Sequence, residues 1–283
     1  MQFPDILTVT GSGTTSYDER AAMLYALALG FGADPLDERE LTFVCEPALT
    51  VVPTMNVLLA TGAGAIIEQA LLDYRRIVHG EQRLSIHRPL PARASIRSRS
   101  RCIGVTDKGA AKGALVDIET VVEDDNDGQP YSTQIMSLFC RGDGGQGGSG
   151  KRELNLAQLP DRVPDLEVSL PTLPQQALLY RLTGDRNPLH ADPATARSVG
   201  FERPILHGLC TYGIACRAIL REFCGYRAER LNSLDVRFAG PLYPGETLVL
   251  RMWREGTSAL LFDAASAERQ APVLSNGRCE LNA

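Results

Sequence analysis

The sequence predicts an α+β protein made of two similar units, because helical patterns precede a run of alternating strands twice along the chain. In the first half, helices near 16–29 and 56–75 come before strands near 93–106, 112–124 and 130–141. In the second half, helices near 174–182 and 208–223 come before strands near 231–239, 246–254, 258–267 and 272–281. This order is typical of an antiparallel sheet that wraps around a helix.

Local signals support the first of these elements. Ser16 and Glu19 have the spacing of a capping box, which opens a helix, and Gly30 and Gly32 are suited to end it. The stretch Leu115–Val121 alternates apolar and polar residues, as a strand with one buried face does.

The two halves also resemble each other in sequence. The stretches 84–91 and 234–244 each read as a strand that ends in a proline-rich corner, and they lie about 150 residues apart, which indicates an internal duplication. Between the halves, the glycine-rich stretch 142–150 reads as a flexible connector. We therefore expect an N-terminal unit at 1–145, a Gly/Pro-rich linker at 146–172 and a C-terminal unit at 173–283.

Composition and charge exclude several classes of protein. The net charge of −5 argues against a nucleic-acid-binding protein, which normally has a basic face. Arg93, Arg97, Arg99 and Arg101 fall on one face of a predicted strand, and we interpret them as a solvated face, with a phosphate-binding patch as the alternative.

The sequence also bears on membranes, metals and the cellular compartment. The uncharged stretch 47–67 is interrupted by proline and glycine, so it reads as buried structure and we expect no membrane partner. The seven cysteines are odd in number and form no C-x-x-C pair, which favours a reducing compartment without structural zinc. No signal peptide is recognisable, and we expect a cytoplasmic protein.

The residues most suited to acid–base chemistry lie between the two helices of the second half. Gly184 and Pro188 make this segment a turn, so Asp185 and His190 can converge although they are five residues apart. A carboxylate and an imidazole around one pocket can hold a water molecule and move its protons. Asn187 can bond the histidine or a substrate, although an Asp–His pair in a turn can also serve only to stabilise a loop.

A second candidate lies at the start of the longer helix, where the sequence reads Pro204-Ile-Leu-His-Gly208. Free N–H groups at a helix start suit an oxyanion, and glycine lets a ligand carbonyl approach closely. Gly208 is therefore a candidate oxyanion donor, although a glycine at this position can also be a simple cap. The Asp–His turn offers too few ligands for a metal site, so we expect none.

Together, the two motifs closely resemble the hydratase 2 motif of MaoC-like proteins. The resemblance covers nearly the whole chain and looks strongest to the hydratase domain of peroxisomal multifunctional enzymes. Further matching stretches are Tyr25–Gly30, Pro53–Met55, His79–Gln82, Arg88–Pro91, Asp107–Gly109, Lys151-Arg152 and Arg237–Gly245. The family implies a double hot-dog fold in which only the second half keeps the catalytic motif, and residues 1–145 indeed contain no D-x-N-P-x-H.

The resemblance also implies roles for individual residues. Asp185, His190 and Asn187 match the catalytic positions, and Gly208 matches the donor of the oxyanion N–H. Positions that contact the CoA thioester in the family correspond here to His79, Gly80, Lys108 and Phe238. Polar positions around the active site correspond to Glu46, Tyr25 and Tyr180. Residue chemistry alone supports only Lys108, as a phosphate partner.

We therefore expect an (R)-specific enoyl-CoA hydratase in fatty acid metabolism and β-oxidation, acting as a homodimer, with no cofactor apart from the coenzyme A of its substrate. The main alternative is a dehydratase that acts on 3-hydroxyacyl groups carried by acyl carrier protein. A second alternative is a subunit that binds acyl thioesters without catalysis.

Overall fold

A computed structural model describes residues 3–150 and 156–282, which form two compact units. The first unit contains the described residues of 1–16, 59–88 and 95–156. The second contains those of 17–58, 89–94 and 157–283. Residues 17–58 thus belong by their contacts to the second unit, and the division predicted at 145 and 173 stays a prediction. The matched pair Lys151-Arg152 and part of the predicted linker lie outside the described residues.

The first unit has an antiparallel sheet with the strand order β1-β3-β4-β5-β2. Its strands are β1 (Thr10–Tyr17), β2 (Ile77–Ile86), β3 (Ala94–Asp107), β4 (Ala114–Asp124) and β5 (Pro130–Cys140), and the two-residue strand β6 (Ser149–Gly150) pairs with β3. Helix α4 (Ala63–Gln69) lies on this sheet. Ile66 on the helix packs with Val116 and Ile118 on β4 and Leu138 on β5, all of them buried.

The second unit repeats this design around a longer helix, α7 (Gly208–Ile219), which continues into a π-helical turn at Leu220–Cys224. Its strands, in the order β7-β9-β10-β11-β8, are β7 (Leu166–Pro171), β8 (Leu231–Phe238), β9 (Thr247–Glu255), β10 (Ala259–Ser266) and β11 (Pro272–Leu281). Tyr212 on α7 donates a hydrogen bond to the carbonyl oxygen of Leu234 on β8 at 2.8 Å.

The two units therefore share one topology. In each, the first strand lies at one edge, the second strand at the other, and the remaining three run between them in chain order. The central helix stands between the first and second strands of the sequence in both cases, at an offset of about 150 residues. This confirms the predicted α+β class, with two antiparallel sheets each packed on a central helix.

The remaining helices are short. They are α1 (Phe3–Ile6), α2 (Glu19–Ala28), α3 (Glu38–Leu41), α5 (Gln176–Tyr180) and α6 (Pro193–Ser198), with 3-10 turns at Pro53–Leu59, Tyr74–Arg76, Arg181–Thr183, Pro188–His190 and Ala228–Arg230. The N-cap of α2 is Asp18, whose carboxylate accepts the N–H of Ala21. The capping box predicted from Ser16 is therefore wrong, because β1 extends through Tyr17 and leaves the cap to the next residue.

The single helix predicted at 56–75 is also wrong. A 3-10 turn ends at Leu59 and α4 begins at Ala63, with Gly62 in the break between them. Gly62 lies so close to β1 that a Cβ on Gly11 would be 2.1 Å from the carbonyl oxygen of Gly62. The N–H of Gly62 donates to the hydroxyl of Ser98 at 3.0 Å. The close approach of β1 interrupts the helix.

The arginine face of β3 is solvated, as interpreted from the sequence. Arg97 pairs with Asp125, Arg99 with Glu123 and Arg101 with Glu119 across the sheet, and the three guanidinium groups are largely exposed. The acidic partners on the same unit neutralise these arginines.

The described part of the chain has no helix whose length and hydropathy would let it span a bilayer.

Packing within the second unit leads to a test on stability. Replacing Gly213 on α7 with alanine would place a Cβ 2.5 Å from a methyl carbon of the buried Leu29. We therefore expect the free energy of unfolding to fall by about 1–3 kcal/mol. The matched control is Gly64→Ala on α4, where a Cβ meets nothing within 4 Å. The free energy of unfolding of that variant should rise by about 0.5–1 kcal/mol, because alanine has a better helix propensity than glycine. Urea unfolding measures both, and equal shifts of the same sign would contradict this description.

Candidate active site

The segment that carries Asp185 and His190 is built from two successive side-chain turns. Gly184 leaves the helical conformation with φ +138°, and the Asp185 carboxylate then accepts the N–H of Asn187 at 3.1 Å. The side-chain oxygen of Asn187 accepts the N–H of Leu189 at 3.0 Å and caps the turn that contains His190. Asn187 therefore shapes the segment, and only its side-chain nitrogen is left for a substrate.

His190 is held by its ring from two sides. Its Nδ1 donates to the carbonyl oxygen of Ile205 at 2.9 Å, which leaves Nε2 as the unprotonated nitrogen of the neutral ring. The ring also stacks on His207, with 3.8 Å between centroids and 26° between planes. The unprotonated Nε2 of His190 is thus oriented by a backbone carbonyl and a second imidazole.

His207 is a site residue that we did not single out from the sequence. Its Nε2 donates to the backbone carbonyl of Asp185 at 3.1 Å, while its buried Nδ1 has no hydrogen-bond partner among the described residues. His207 therefore joins the start of α7 to the Asp–His turn. The rarity of histidine, with four in the chain and two of them in this stretch, was the one available signal.

Both imidazoles favour the neutral form. Burial lowers the pKa of His190, although the Ile205 carbonyl and the Asp185 carboxylate oppose this effect. Burial and the neighbouring His190 lower the pKa of His207 to about 4, against the opposing pull of Asp185. Since protonation in the folded state is harder than in the unfolded chain, both groups favour folding above pH ~6.5 and lose that contribution as the pH falls below it.

The side chains of Asp185, His190 and His207 bring one carboxylate and two imidazoles close together. A carboxylate oxygen of Asp185 and ring nitrogens of His190 and His207 lie within 4.8 Å of one another. One water molecule can donate a hydrogen bond to the carboxylate and another to Nε2 of His190 across such a gap. The same spacing would also suit a divalent cation, so the expectation that no metal binds here stays a prediction.

Gly208 is the first residue of α7, and its surroundings favour a small residue. Its N–H has no backbone hydrogen-bond partner among the described residues, as expected at a helix start. A Cβ at this position would lie 3.2 Å from two carbon atoms of the Phe238 ring. A side chain at Gly208 would therefore require the Phe238 ring to shift by a few tenths of an ångström.

Two buried tyrosines extend the site into the core of the second unit. The ring of Tyr180 lies 4.9 Å from that of His207 and 6.0 Å from that of Tyr25. The hydroxyl of Tyr25 donates to that of Thr54 at 3.0 Å, whereas the Tyr180 hydroxyl makes no hydrogen bond of good geometry among the described residues. Burial raises the pKa of both tyrosines, so they keep their protons.

The other predicted site residues are not part of this group. Glu46 is in the second unit but is exposed. His79, Gly80 and Lys108 lie in the first unit, where the ring of His79 bonds the carbonyl of Glu81 at 3.1 Å beside an irregularity in the β2–β5 pairing. Lys108 is exposed in the turn between β3 and β4. Their predicted contacts with a CoA thioester stay predictions.

Comparison with known proteins identifies two matching family models. The hydratase 2 N-terminal domain of MFE-2 matches residues 15–142, and the MaoC-like domain matches residues 155–275. Among curated proteins, enoyl-CoA hydratase ChsH3 of Mycobacterium tuberculosis is 40% identical over 92% of this chain and 91% of its own length. Peroxisomal enoyl-CoA hydratase 2 of Arabidopsis thaliana is 36% identical over 92% of this chain and 89% of its own.

A solved structure agrees with these relationships. The MaoC-like dehydratase of Phytophthora capsici superposes with a TM-score of 0.88 at 35% sequence identity, and the match covers 98% of each chain. The turn with Asp185 and His190, the helix start at Gly208 and the duplicated topology all fall within the matched regions. This chain belongs to the MaoC-like hydratase 2 family.

Proposed function

We propose that this protein is an (R)-specific enoyl-CoA hydratase, which adds water reversibly across the double bond of a trans-2-enoyl-CoA to form a (3R)-3-hydroxyacyl-CoA. The observation that carries the proposal is the close grouping of the Asp185 carboxylate with two neutral imidazoles. One of them, His207, bonds the backbone of Asp185 and directly precedes Gly208, whose N–H has no backbone partner among the described residues. Relatives named enoyl-CoA hydratase, at 36–40% identity, support it.

The geometry suggests how water is activated. A water molecule that donates to the Asp185 carboxylate and to Nε2 of His190 directs an oxygen lone pair away from both groups, toward C3 of the enoyl chain. Because His190 starts as a neutral acceptor, the pair takes a proton as the new C–O bond forms. The same proton then reaches C2, so that hydroxyl and hydrogen have both been added.

The N–H of Gly208 serves the other end of the reacting group. Addition of water to C3 pushes charge onto the thioester oxygen, and an unpartnered N–H at the start of a helix stabilises that charge. Asn187 acts mainly by holding the Asp–His turn. Tyr25 and Tyr180 keep the inner wall of the site apolar apart from their hydroxyl groups.

Carrier, compartment and assembly are further parts of the proposal. We favour coenzyme A over acyl carrier protein, with Lys108 at a CoA phosphate and His79, Gly80 and Phe238 along the thioester arm; Glu46 is proposed to approach the site in the bound state. We also propose a role in β-oxidation, a cytoplasmic location, a homodimer and no separate cofactor. Some relatives are named peroxisomal, which makes the compartment a question for imaging of the tagged protein.

The alternatives predict different substrates. A relative named 3-hydroxyacyl-thioester dehydratase is 36% identical, and the same residues would serve dehydration by microscopic reversibility. Rates with 2-enoyl-CoA and with the same acyl group on acyl carrier protein, followed by chiral analysis of the product, separate these activities. A chain that binds both thioesters and converts neither would be the non-catalytic subunit.

Removal of either acid–base group should abolish most turnover. We expect Asp185→Asn and His190→Ala each to lower kcat by ~10²–10⁴, because each removes one of the two acceptors for the reacting water. The double variant should lose little more than the worse single variant, since both residues act on one water. Steady-state kinetics with 2-enoyl-CoA measures these effects.

The matched control is Asp192→Asn. Asp192 is an exposed N-cap of α6 whose two carboxylate oxygens accept hydrogen bonds from Ala194 and Thr195. Asparagine keeps one of these acceptor oxygens, so we expect a small loss of stability and an unchanged kcat. Near-normal turnover in either Asp185→Asn or His190→Ala would remove those residues from the mechanism.

His207 should control the pH dependence. Wild-type kcat/KM should fall on the acid side only below pH ~6.5, because burial lowers the pKa of His190 from that ordinary value. His207→Ala opens a space beside His190, so its pKa should rise and the acid limb should move to higher pH, with kcat reduced by about tenfold. A loss of kcat with an unmoved acid limb would reduce His207 to a purely structural residue.

Removal of metal ions should leave the activity intact. If Asp185, His190 and His207 hold water alone, dialysis against a chelator will not change kcat, and added Zn²⁺ will inhibit by occupying the same three ligands. Activity that is lost on chelation and restored by a metal would contradict the proposed mechanism.

A further inference from the structure

The connection between β8 and β9 is a corner that no step of the proposed reaction uses. This corner, residues 239–246, forms no strand, and Pro241 and Pro244 within it have no backbone N–H to donate. The backbone therefore depends on side chains for part of its hydrogen bonding. The side chains that supply it are charged, and their contacts lead toward His190.

Glu246 and Arg269 hold this corner together. The side chain of Glu246 is only 6% exposed, and one of its carboxylate oxygens accepts the N–H of Tyr243 at 3.0 Å. Arg269 donates to both carboxylate oxygens, at 2.6 and 2.9 Å, and also to the carbonyl of Pro241 at 2.6 Å. One guanidinium thus binds the buried carboxylate and the backbone of the corner at the same time.

The carboxylate of Glu246 favours its ionised form. Burial alone would raise the pKa of Glu246, but the Arg269 guanidinium and the N–H of Tyr243 outweigh burial and hold that pKa below its usual range. The hydroxyl of Thr172 donates to the carbonyl of Glu246 at 2.7 Å and accepts the N–H of Gly245 at 2.9 Å. The corner is therefore also tied to the residue that follows β7.

Two contacts join the corner to the strap, residues 203–207, which leads into α7. The N–H of Leu206 donates to the carbonyl of Leu242 at 2.7 Å. The guanidinium of Arg203 lies 4.9 Å from the centre of the Tyr243 ring, and that of Arg269 lies 5.0 Å from it. One backbone hydrogen bond and one aromatic ring thus connect the strap with the corner.

The strap carries the carbonyl that selects the tautomer of His190. This carbonyl, of Ile205, accepts the Nδ1–H of His190 at 2.9 Å, and it belongs to the same peptide group as the N–H of Leu206. Because a trans peptide is planar and its C=O and N–H point in opposite directions, this one group is held between His190 and Leu242. Whatever fixes Leu242 therefore also fixes the direction of the Ile205 carbonyl.

We propose that Glu246 and Arg269 are positioning residues for the hydration reaction. They fix the Leu242 carbonyl, which holds the Ile205–Leu206 peptide and keeps His190 in the tautomer that leaves Nε2 able to accept a proton. They act through this peptide rather than on the substrate. The inference rests on the proposed function and extends it to a corner that the Asp–His turn does not include.

The test reads the tautomer directly, by nitrogen NMR of protein with isotope-labelled histidine. The chain has four histidines, so the ring signals of His190 are assigned by their loss in His190→Ala. At pH ~8 the ring is neutral, and in the wild type Nδ1 should have the shift of a protonated nitrogen and Nε2 that of an unprotonated one. In Arg269→Ala the two shifts should move toward each other, because the released imidazole exchanges between tautomers.

The kinetics should follow the tautomer. Arg269→Ala should lower kcat for 2-enoyl-CoA about 3- to 10-fold with KM nearly unchanged, because part of the population presents a protonated or misdirected Nε2. Arg269→Lys keeps the positive charge but not the planar fork, so it should recover part of both losses. Arg203→Ala removes an exposed side chain and leaves no buried charge unpaired, so it should fold normally and give a smaller change in the same direction.

The matched control is Arg251→Ala. Arg251 on β9 donates to both carboxylate oxygens of Asp263 on β10, at 2.7 and 2.6 Å, in an ion pair of the same kind within the same unit. Its loss should leave the tautomer of His190 and kcat at their wild-type values. If Arg269→Ala does not fold, Arg269→Lys and Arg203→Ala decide the question against this control.

The outcomes separate this inference from the proposed function. Wild-type histidine signals in the folded Arg269 and Arg203 variants would overturn the inference and leave the proposed function standing. Tautomer exchange without a loss of kcat, or an equal change in Arg251→Ala, would also overturn it. Failure of the wild-type protein to hydrate 2-enoyl-CoA would instead reject the proposed function, whatever the histidine signals show.

Discussion

The hydrogen bond from Nδ1 of His190 to the carbonyl of Ile205 joins the Asp–His turn to the segment that leads into α7. Residues 184–190 contain no regular element longer than a 3-10 turn, so their own backbone does not define where the imidazole points. This bond selects the ring tautomer, and the stacked ring of His207 restricts its rotation. Without these two contacts, nothing in this segment would fix the direction of the imidazole.

Because the chain contains two copies of the same topology, one copy can carry the Asp–His turn while the other does not. Both units have the same strand order and a central helix, yet the segment between the first strand and that helix differs. In the second unit it forms the Asp–His turn. In the first half the corresponding stretch, 17–58, packs with the second unit and supplies Tyr25 and Leu29 to its core.

Strands β3 to β5 and β8 to β11 and the Asp–His turn could be predicted from the sequence because their signals are local, whereas β1 and β7 were not predicted. The alternation within β4 marks a buried and an exposed face, and Gly184, Asp185 and Asn187 specify their own turns. The break at Gly62 could not be predicted, because it comes from the approach of Gly11 on a distant strand. His207 was missed for the same reason: its stacking on His190 and its bond to Asp185 join segments that no pattern connects. The glycine-rich stretch was misread because its composition permits flexibility, while the carboxylate of Asp107 removes it.

The two units also differ in where they place ionisable side chains. Acid–base chemistry on a thioester needs an imidazole that can accept a proton, and burial provides it by keeping His190 and His207 neutral at the cost of weaker folding in acid. A permanent charge is stable where water can reach it, and Arg76, Lys108, Lys112 and Arg141 of the first unit are all exposed. Cations placed beside the imidazoles would depress their pKa further and weaken them as bases. The buried imidazoles therefore lie in the second unit and these exposed cations in the first.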